Sequence, residues 1–405
     1  MKTAEKEITT KGKTIEKRNE TEPRPAGKTH IAVFDGIRGL AALVVMAYHL
    51  SVWSIEGYAA NALTSFSNPI WEVMTKTPLK LLWGGNEAVL VFYVIGGFVL
   101  ATPYIQGRKL QFRSFLLRRW VRLMLPYLSI LTITLLCSFF LGELKNDVRL
   151  SGAFNVKWSR FPSVTELILY YSGYDYNLNL VAGAFWSLRQ EWRMSFILPF
   201  VGMALCRCST KRVVAVSLLA RWGVRECLQL SARATDVDWL DHLLRSLDRT
   251  AFNFLFFLLG AVLAKHLVQM RTVVREHKTV RLLTAGTVPL LLSAKWLLNG
   301  AGIGVTWRAI APIIAVGVVG FLLLAMESPR MTAFFQSKPL LFLGRHSFSL
   351  YLTHTTAIVL FVTVFSRVLT PTTALLLSPA FAFAVAILWR RTVEAGCGKL
   401  LRYIK

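Results

Sequence analysis

Nine apolar stretches, separated by polar and basic residues, make up almost half of this 405-residue chain. Most of them are about as long as a helix that crosses the hydrocarbon core of a membrane, which takes roughly 20 residues. They lie at about residues 35–54, 87–105, 122–141, 182–205, 251–267, 281–298, 307–326, 339–365 and 372–391. Because a helix satisfies its own backbone hydrogen bonds in lipid, this pattern predicts an all-α, polytopic transmembrane helical bundle.

The basic residues between these stretches predict which helix ends face the cytosol. The densest cluster precedes the third stretch and contains Arg108, Lys109, Arg113, Arg118, Arg119 and Arg122. Basic residues also follow the stretches at 182–205 and 251–267, and lysine and arginine are retained on the cytosolic side. If both of those ends are cytosolic, one more crossing must separate them, at about 212–230, although Arg221 and Arg225 interrupt it. The pattern then predicts about ten spans with both termini in the cytosol.

The spans divide the chain into three parts. Residues 1–30 are polar and rich in lysine and glutamate, which predicts a disordered cytosolic tail in which the Asn19 sequon stays unglycosylated. We expect the first span itself to direct insertion, because this tail does not resemble a signal peptide. Residues 31–392 form the transmembrane domain, and residues 393–405 a basic cytosolic tail.

The composition agrees with a membrane protein and excludes an ordinary soluble domain. Hydrophobic residues make up 54% of the chain and charged residues 17%, with a mean hydropathy of +0.48. A net charge of +25 would suggest nucleic acid in a soluble chain, but here the cations cluster between apolar stretches. We therefore expect the lipid bilayer as a partner and no nucleic acid. The five cysteines lack the spacing of a metal site, which favours packing or acylation and predicts no metal.

Two ionisable residues in the first stretch are the first candidates for chemistry. His49 follows Arg38 by eleven residues, which at about 100° per residue is close to three full helical turns and about 16 Å. Both side chains therefore lie on one face of the helix, with a cation at one membrane surface and an imidazole near the other leaflet. An ionisable group in lipid is costly and marks a function or a partner. The alternative is that Arg38 sets the topology and His49 is a hydrogen-bonded packing residue.

Three motifs in separate stretches carry further polar residues. They are Asp35-Gly36-Ile37-Arg38-Gly39-Leu40 followed by His49, Phe185-Trp186-Ser187-Leu188-x-x-Glu191, and Leu343-Gly344-x-x-Ser347-x-x-Leu350-Tyr351-Leu352-x-His354. Two further segments accompany them, Arg118-Arg119-x-x-Arg122-x-x-x-Pro126-Tyr127 and the glycine-bounded stretch from Gly85 to Phe98. In this order the five segments resemble the membrane acyltransferases of the acyltransferase-3 group, which modify sugars and other hydroxyl-bearing molecules. Arg193 and the 213–250 region depart from that pattern.

The resemblance implies an integral-membrane O-acyltransferase with acyl-CoA, in the first place acetyl-CoA, as donor. The acceptor would be a hydroxyl of a carbohydrate, polyol or secondary metabolite. Counting residues from the span ends places His49, Glu191 and His354 at comparable depths, with Tyr351 on the stripe of His354. We therefore predict a catalytic cluster of these four residues in the outer half of the membrane.

A second, cationic layer is predicted at the inner surface. Arg38, Arg118, Arg119 and Arg122 would bind the phosphates of the donor there, because guanidinium groups bind phosphate in a bidentate manner. In the outer layer His49 would act as general base, since its ordinary pKa lies near neutrality, and Glu191 would fix its tautomer. Tyr351 or His354 would bind the acceptor or the developing oxyanion. Direct transfer and a covalent acyl-histidine route both fit this arrangement.

Other interpretations of the same residues remain open at this point. Glu191 can pair with Arg189, Arg193 or another helix, and Tyr351 and His354 can belong to an interfacial aromatic belt. The basic segment with Arg118, Arg119 and Arg122 can serve topology alone. The histidines and the glutamate can relay protons in a proton-coupled transporter, which an internal repeat would support, or the chain can be a silent relative that binds lipid. The spacing His30-x4-Asp35 resembles a soluble acyltransferase box, but it straddles the tail and the membrane entry.

Overall fold

A computed structural model describes residues 31–404, apart from 67, 147, 174–177, 182 and 234–236. These residues form helices, turns and loops, and there is no β-strand among them. The tail predicted at 1–30, with Asn19 and His30, lies outside the described residues. The same holds for Lys405 at the end of the predicted basic tail.

Seventeen α-helices follow one another along the described part of the chain. They are α1 Ala32–Trp53, α2 Ile55–Ala62, α3 Pro69–Lys76, α4 Gly85–Ile105, α5 Phe112–Asn146, α6 Gly152–Asn155, α7 Val164–Tyr171, α8 Phe185–Met194, α9 Leu198–Arg207, α10 Thr210–Arg233, α11 Asp238–Glu276, α12 Lys278–Gly300, α13 Trp307–Glu327, α14 Pro329–Phe335, α15 Lys338–Phe365, α16 Pro371–Trp389 and α17 Ala395–Leu400. Single 3₁₀ segments at Pro78–Trp83 and Leu178–Leu180 and a π-helical turn at Arg390–Glu394 complete the order.

Eight helices of the described chain are long and apolar enough to cross a membrane. They are α1, α4, α5, α11, α12, α13, α15 and the helix that α16 and α17 form together. The prediction of an all-α, multi-pass bundle is confirmed. The number of such helices is eight, however, and the two predicted spans without a counterpart among them are those at 182–205 and 212–230.

Charge and a helix break explain both differences. The predicted span at 182–205 consists of two helices of ten residues each, α8 and α9, and only α9 is apolar. Ten residues of helix extend about 15 Å, half of a hydrocarbon core. The predicted span at 212–230 lies within α10, whose arginines and lysine make it too polar to qualify as a span on composition.

Close contact between α1 and α15 forms the centre of the site described below. Gly39 of α1 lies against the backbone of Gly344 in α15, and a Cβ atom added to Gly39 would come within 2.5 Å of the Gly344 nitrogen. Ten residues later in each helix, His49 faces His354. The equal spacing shows that the two helices run parallel and stay in register over about three turns. Their small residues permit this approach, as they do at other helix contacts in membranes.

A buried lysine fixes the segment before α4 to α12. The side chain of Lys80 is fully buried, and its Nζ lies 2.9 Å from the centre of the Trp83 ring and 4.2 Å from that of Trp296. It donates a hydrogen bond to Asn61 Oδ1 at 2.9 Å. Burial lowers the pKa of Lys80 to about 6, partly opposed by the charge of Glu87.

Candidate active site

Two histidines from α1 and α15 form the centre of the candidate site. The distance between His49 Nδ1 and His354 Nε2 is 3.3 Å, and the ring centroids are 5.0 Å apart. The side chain of His354 is fully buried, whereas that of His49 is partly exposed. The structure thus brings together two of the predicted site residues that are 305 positions apart in the sequence.

The hydrogen bonds of the two rings fix their tautomers. Nδ1 of His354 lies 2.9 Å from the carbonyl oxygen of Tyr351 and 3.0 Å from that of Leu350. A carbonyl oxygen only accepts, so this nitrogen carries the proton and donates, and Nε2 of neutral His354 is an acceptor. Nδ1 of His49 lies 2.9 Å from the carbonyl oxygen of Val45 and is therefore also protonated. In the neutral pair, the Val45 carbonyl oxygen and Nε2 of His354 share the single Nδ1–H of His49, and Nε2 of His49 keeps its lone pair.

Aromatic and hydroxyl groups surround the histidine pair. The hydroxyl group of Tyr351 is hydrogen-bonded to that of Ser187 in α8 and donates to the carbonyl oxygen of Ala184 at 3.3 Å. The ring of Trp53 packs against His49 with centroids 5.3 Å apart. The short helix α8 therefore contacts α15 one turn before His354, through the serine of the second sequence motif.

A cavity of about 740 Å³ opens in front of His49. Its wall contains His49 and Tyr351 together with residues from the loops that follow α5, among them Lys157, Asn179 and Gly183. The side chain of Lys157 is 4% exposed, and its Nζ donates a hydrogen bond to the carbonyl oxygen of Asn179 at 2.6 Å. The volume is within the range of small-molecule sites. A reactant in this cavity would meet the unprotonated Nε2 of His49.

Glu191 lies elsewhere than predicted. Its carboxylate accepts a hydrogen bond from Arg119 at 2.9 Å, and Arg119 also donates to Ser195 Oγ at 3.1 Å. Among the described residues, the hydrogen bonds of His49 and His354 do not include Glu191. The predicted carboxylate–imidazole contact is therefore wrong for this structure.

The depth estimate for Glu191 failed because it assumed one straight span from 182 to 205. The helix begins at Phe185, and Ser187 already contacts Tyr351. Glu191 lies one turn further along α8, about 6 Å away, where it meets Arg119.

Three of the four predicted arginines lie near Glu191, and the fourth, Arg118, does not. Arg38 interacts electrostatically with Glu191, Arg122 and Arg119, so these four residues form one charged cluster, and it also interacts with Asp35 one turn earlier in α1. The side chain of Arg119 is 14% exposed and that of Glu191 33% exposed. Arg122 is exposed. The cluster combines three guanidinium groups with one carboxylate, and Asp35 adds a second carboxylate beside Arg38, so the basic groups remain in the majority.

Arg118 points away from this cluster. It is exposed, donates a hydrogen bond to the carbonyl oxygen of Ile404 at 2.7 Å, and lines a separate cavity of about 410 Å³ with Arg108 and Lys109. A helix turns by about 100° per residue, so Arg118 and Arg119 cannot face the same way.

Sequence reasoning missed Lys157 and gave no role to Ser187 or Trp53. Ser187 was within a quoted motif, but its contact with Tyr351 depends on how α8 packs. Lys157 lies in a polar loop, where a lysine is usually exposed, and the neighbouring sequence does not predict that it is buried.

Comparison with known proteins adds the following. A family model described as "Acyltransferase domain" matches residues 31–390. The chain is similar to "Acyltransferase clz18" of Cochliobolus lunatus, with 28% identity over 99 residues. That alignment covers 21% of this chain and 21% of the relative, so the chain matches about a fifth of the length of this curated protein. No solved structure matches the chain.

Proposed function

Because this chain belongs to the acyltransferase-3 family, we propose that it is an integral-membrane enzyme that transfers an acyl group from acyl-CoA to a hydroxyl group. Acetyl-CoA is the first donor to test, and the acceptor is a carbohydrate, polyol or secondary metabolite. One observation carries the proposal: a histidine held in one tautomer by a second histidine faces a cavity of small-molecule size.

In this proposal His49 is the general base. Its Nε2 takes the proton of the acceptor hydroxyl while the hydroxyl oxygen attacks the thioester carbonyl carbon. The C–S bond then breaks, CoA leaves as a thiolate, and the proton on His49 passes to that sulfur, which restores the neutral imidazole. The products are an ester and free CoA.

His354 acts as the positioning residue. Its Nε2 accepts the hydrogen bond of His49 Nδ1–H, so it holds the imidazole in place and stabilises the positive charge that develops on it. This is the role that sequence reasoning gave to Glu191. A buried ring whose own Nδ1–H is bound to two backbone carbonyls is well fixed for this task.

The charged cluster of Arg38, Arg119, Arg122 and Glu191 is the proposed donor-phosphate site. Guanidinium groups bind phosphates in bidentate fashion, and Glu191 holds Arg119 in place. Arg38 and His49 are about 16 Å apart along α1, a distance that the long pantetheine arm of CoA can cover. The cluster then faces the cytosol, where acyl-CoA is found, and both chain termini are cytosolic.

Turnover of labelled acetyl-CoA by the purified protein tests the role of His49. We expect His49→Ala to lower the rate of acyl transfer about 10²- to 10⁴-fold, the usual contribution of a general base. His266→Ala is the control, because His266 binds Thr210 and Gln269 and is not part of the cavity wall. Undiminished acyl transfer or donor hydrolysis by His49→Ala would show that this assignment is wrong.

The role of Glu191 is tested by the same assay. If Glu191 only orients Arg119, Glu191→Gln raises the KM for acetyl-CoA several-fold and leaves kcat nearly unchanged. A large fall in kcat at saturating donor would instead place Glu191 in the proton-transfer step.

A further inference from the structure

Lys157 is a buried cation in the wall of the cavity that contains His49. Its side chain is 4% exposed, and its Nζ uses one of three N–H donors on the carbonyl oxygen of Asn179. No carboxylate of the described residues lies within ion-pair distance of this nitrogen. Burial, together with the smaller effect of the nearby charge of Lys145, lowers the pKa of Lys157 to about 7.

The ammonium group of Lys157 and the base converge on one point. A methyl group on the Cα of Gly183 would lie 3.4 Å from Lys157 Nζ and 3.9 Å from His49 Nε2. The two nitrogens are therefore close enough to contact the same small molecule. Gly183 is the residue that leaves the space between them open.

The described part of the cavity wall contains cations and no acids. Besides Lys157, it includes Arg249, whereas no aspartate or glutamate of the described chain lines it. A buried charge without a counterion costs free energy, and such groups concentrate at functional sites. An acid group bound in the cavity would supply Lys157 with the counterion that the described residues do not provide.

We infer that the acceptor of the proposed reaction is a hydroxy acid, whose carboxylate or phosphate binds Lys157 while its hydroxyl contacts Nε2 of His49. This inference rests on the proposed function for the identity of the reacting group. The short distance between the two nitrogens requires that the acid group and the reacting hydroxyl be only a few bonds apart. Acid binding keeps Lys157 protonated, because an adjacent negative charge favours the charged form of an amine.

Matched ligand pairs test the inference by direct binding. D-glucuronate and D-glycerate are titrated against the intact, detergent-solubilised chain beside their neutral counterparts, D-glucose and glycerol. Quenching of tryptophan fluorescence reports binding, since Trp53 and Trp186 line the cavity. We expect each acid to bind about tenfold more tightly than its neutral counterpart, as a charge-assisted hydrogen bond provides.

Four variants identify the group responsible. Lys157→Met should abolish the preference for the acids, and Lys157→Arg should retain most of it. Gly183→Ala should weaken acid binding without preventing folding, because its methyl group meets neighbours only at ordinary contact distances. Lys80→Met is the control: Lys80 is also buried and also donates to an oxygen atom, Oδ1 of Asn61, but it does not line the cavity and does not act on Lys157.

The outcomes separate this inference from the proposed function. Equal binding of the two members of each pair, or no binding of either, contradicts the hydroxy-acid inference, and so does an unchanged acid preference in Lys157→Met. Acyl transfer measured on the same preparations decides the proposed function independently. A wild-type protein that transfers acetyl groups to neutral acceptors alone would keep the function and refute the inference.

Discussion

At the scale of single residues, hydrogen-bond direction assigns different roles to two chemically identical side chains. His354 donates through Nδ1 to its own helix and presents Nε2 to His49, so it has no lone pair left for a substrate. His49 binds through Nδ1 and keeps Nε2 for the cavity. The sequence placed both imidazoles at one depth but could not give these directions, because they depend on the contact between α1 and α15.

Glu191 illustrates the limit of predicting depth from residue counts. Ser187, one helical turn before Glu191, contacts Tyr351, whereas the carboxylate of Glu191 itself pairs with Arg119 and does not contact the imidazoles. The sequence left three partners open for Glu191, namely Arg189, Arg193 or another helix, and the partner in the structure is Arg119 of α5. Arg193 instead binds Ser246 and Thr250 of α11, and the buried Arg189 binds Tyr127 of α5.

Lys80 yields a prediction on stability as a function of pH. Its pKa is about 6 in the folded chain, below the ordinary value of 10.5, so between these pH values the unfolded chain binds the additional proton. The stability of the wild type therefore rises with pH across this window, by at most about 1.4 kcal/mol per pH unit from this group. Lys80→Met lacks this contribution.

Thermal unfolding of wild type and Lys80→Met at about pH 6.5 and about pH 9 measures the effect. We expect the wild type to gain more stability than the variant between the two pH values. Lys76→Met is the control, since Lys76 is half-exposed and pairs with Glu72 on the surface of α3. Equal pH dependence of wild type and Lys80→Met would contradict the buried, neutral lysine.

At the scale of helices, the contact of α1 with α15 sets the geometry of the site. Gly39 and Gly344 belong to the first and third sequence motifs, and because they lack a Cβ atom the backbones of α1 and α15 can approach each other closely. Hydropathy identified the long apolar helices because each contains about 20 or more suitable residues. It failed at α8 and α10, where charged residues alternate with apolar ones and tertiary packing decides the outcome.

Gly39→Ala should separate α1 from α15 and weaken the contact of His49 with His354. The added Cβ would come within 2.5 Å of the Gly344 backbone, and such overpacking costs about 1–3 kcal/mol of stability. We expect a lower melting temperature and at least a tenfold loss of acyl transfer.

Gly286→Ala in α12 is the matched control, because nothing lies within 4 Å of its added Cβ. Alanine is the better helix former, so this variant should be neutral or slightly stabilised. Wild-type activity and stability in Gly39→Ala would refute the close-packed interface.

At the scale of the whole molecule, the charged cluster lies at the Arg38 end of α1 and the cavity that contains His49 lies near its other end, about 16 Å further along the helix. The fold class and the family could be predicted from the sequence, since both depend on apolar length and on the order of a few motifs. The orientation across the membrane rests on the distribution of basic residues. It predicts that α2 and the cavity mouth face away from the cytosol.

Cysteine labelling in sealed vesicles tests this orientation. Cys206 is exposed at the end of α9, which lies beside the basic end of α11, since Lys265 donates a hydrogen bond to the carbonyl oxygen of Cys208. It should therefore react with a membrane-impermeant maleimide only from the cytosolic side. Tyr58→Cys, at an exposed position of α2 that lines the cavity, should react from the opposite side in a chain with Cys206 and Cys227 replaced by serine. Labelling of both positions from one side would contradict the predicted topology.

The most direct test of the histidine pair is a double-mutant cycle on the turnover of labelled acetyl-CoA. If His354 acts only through His49, His49→Ala removes about 10²- to 10⁴-fold of the rate, and adding His354→Ala to it costs almost nothing more. His354→Ala alone should show an intermediate loss. If the rate losses of the two single variants multiply in the double variant, or if His49→Ala keeps wild-type turnover, the account of His49 as the base and His354 as its positioning residue is contradicted.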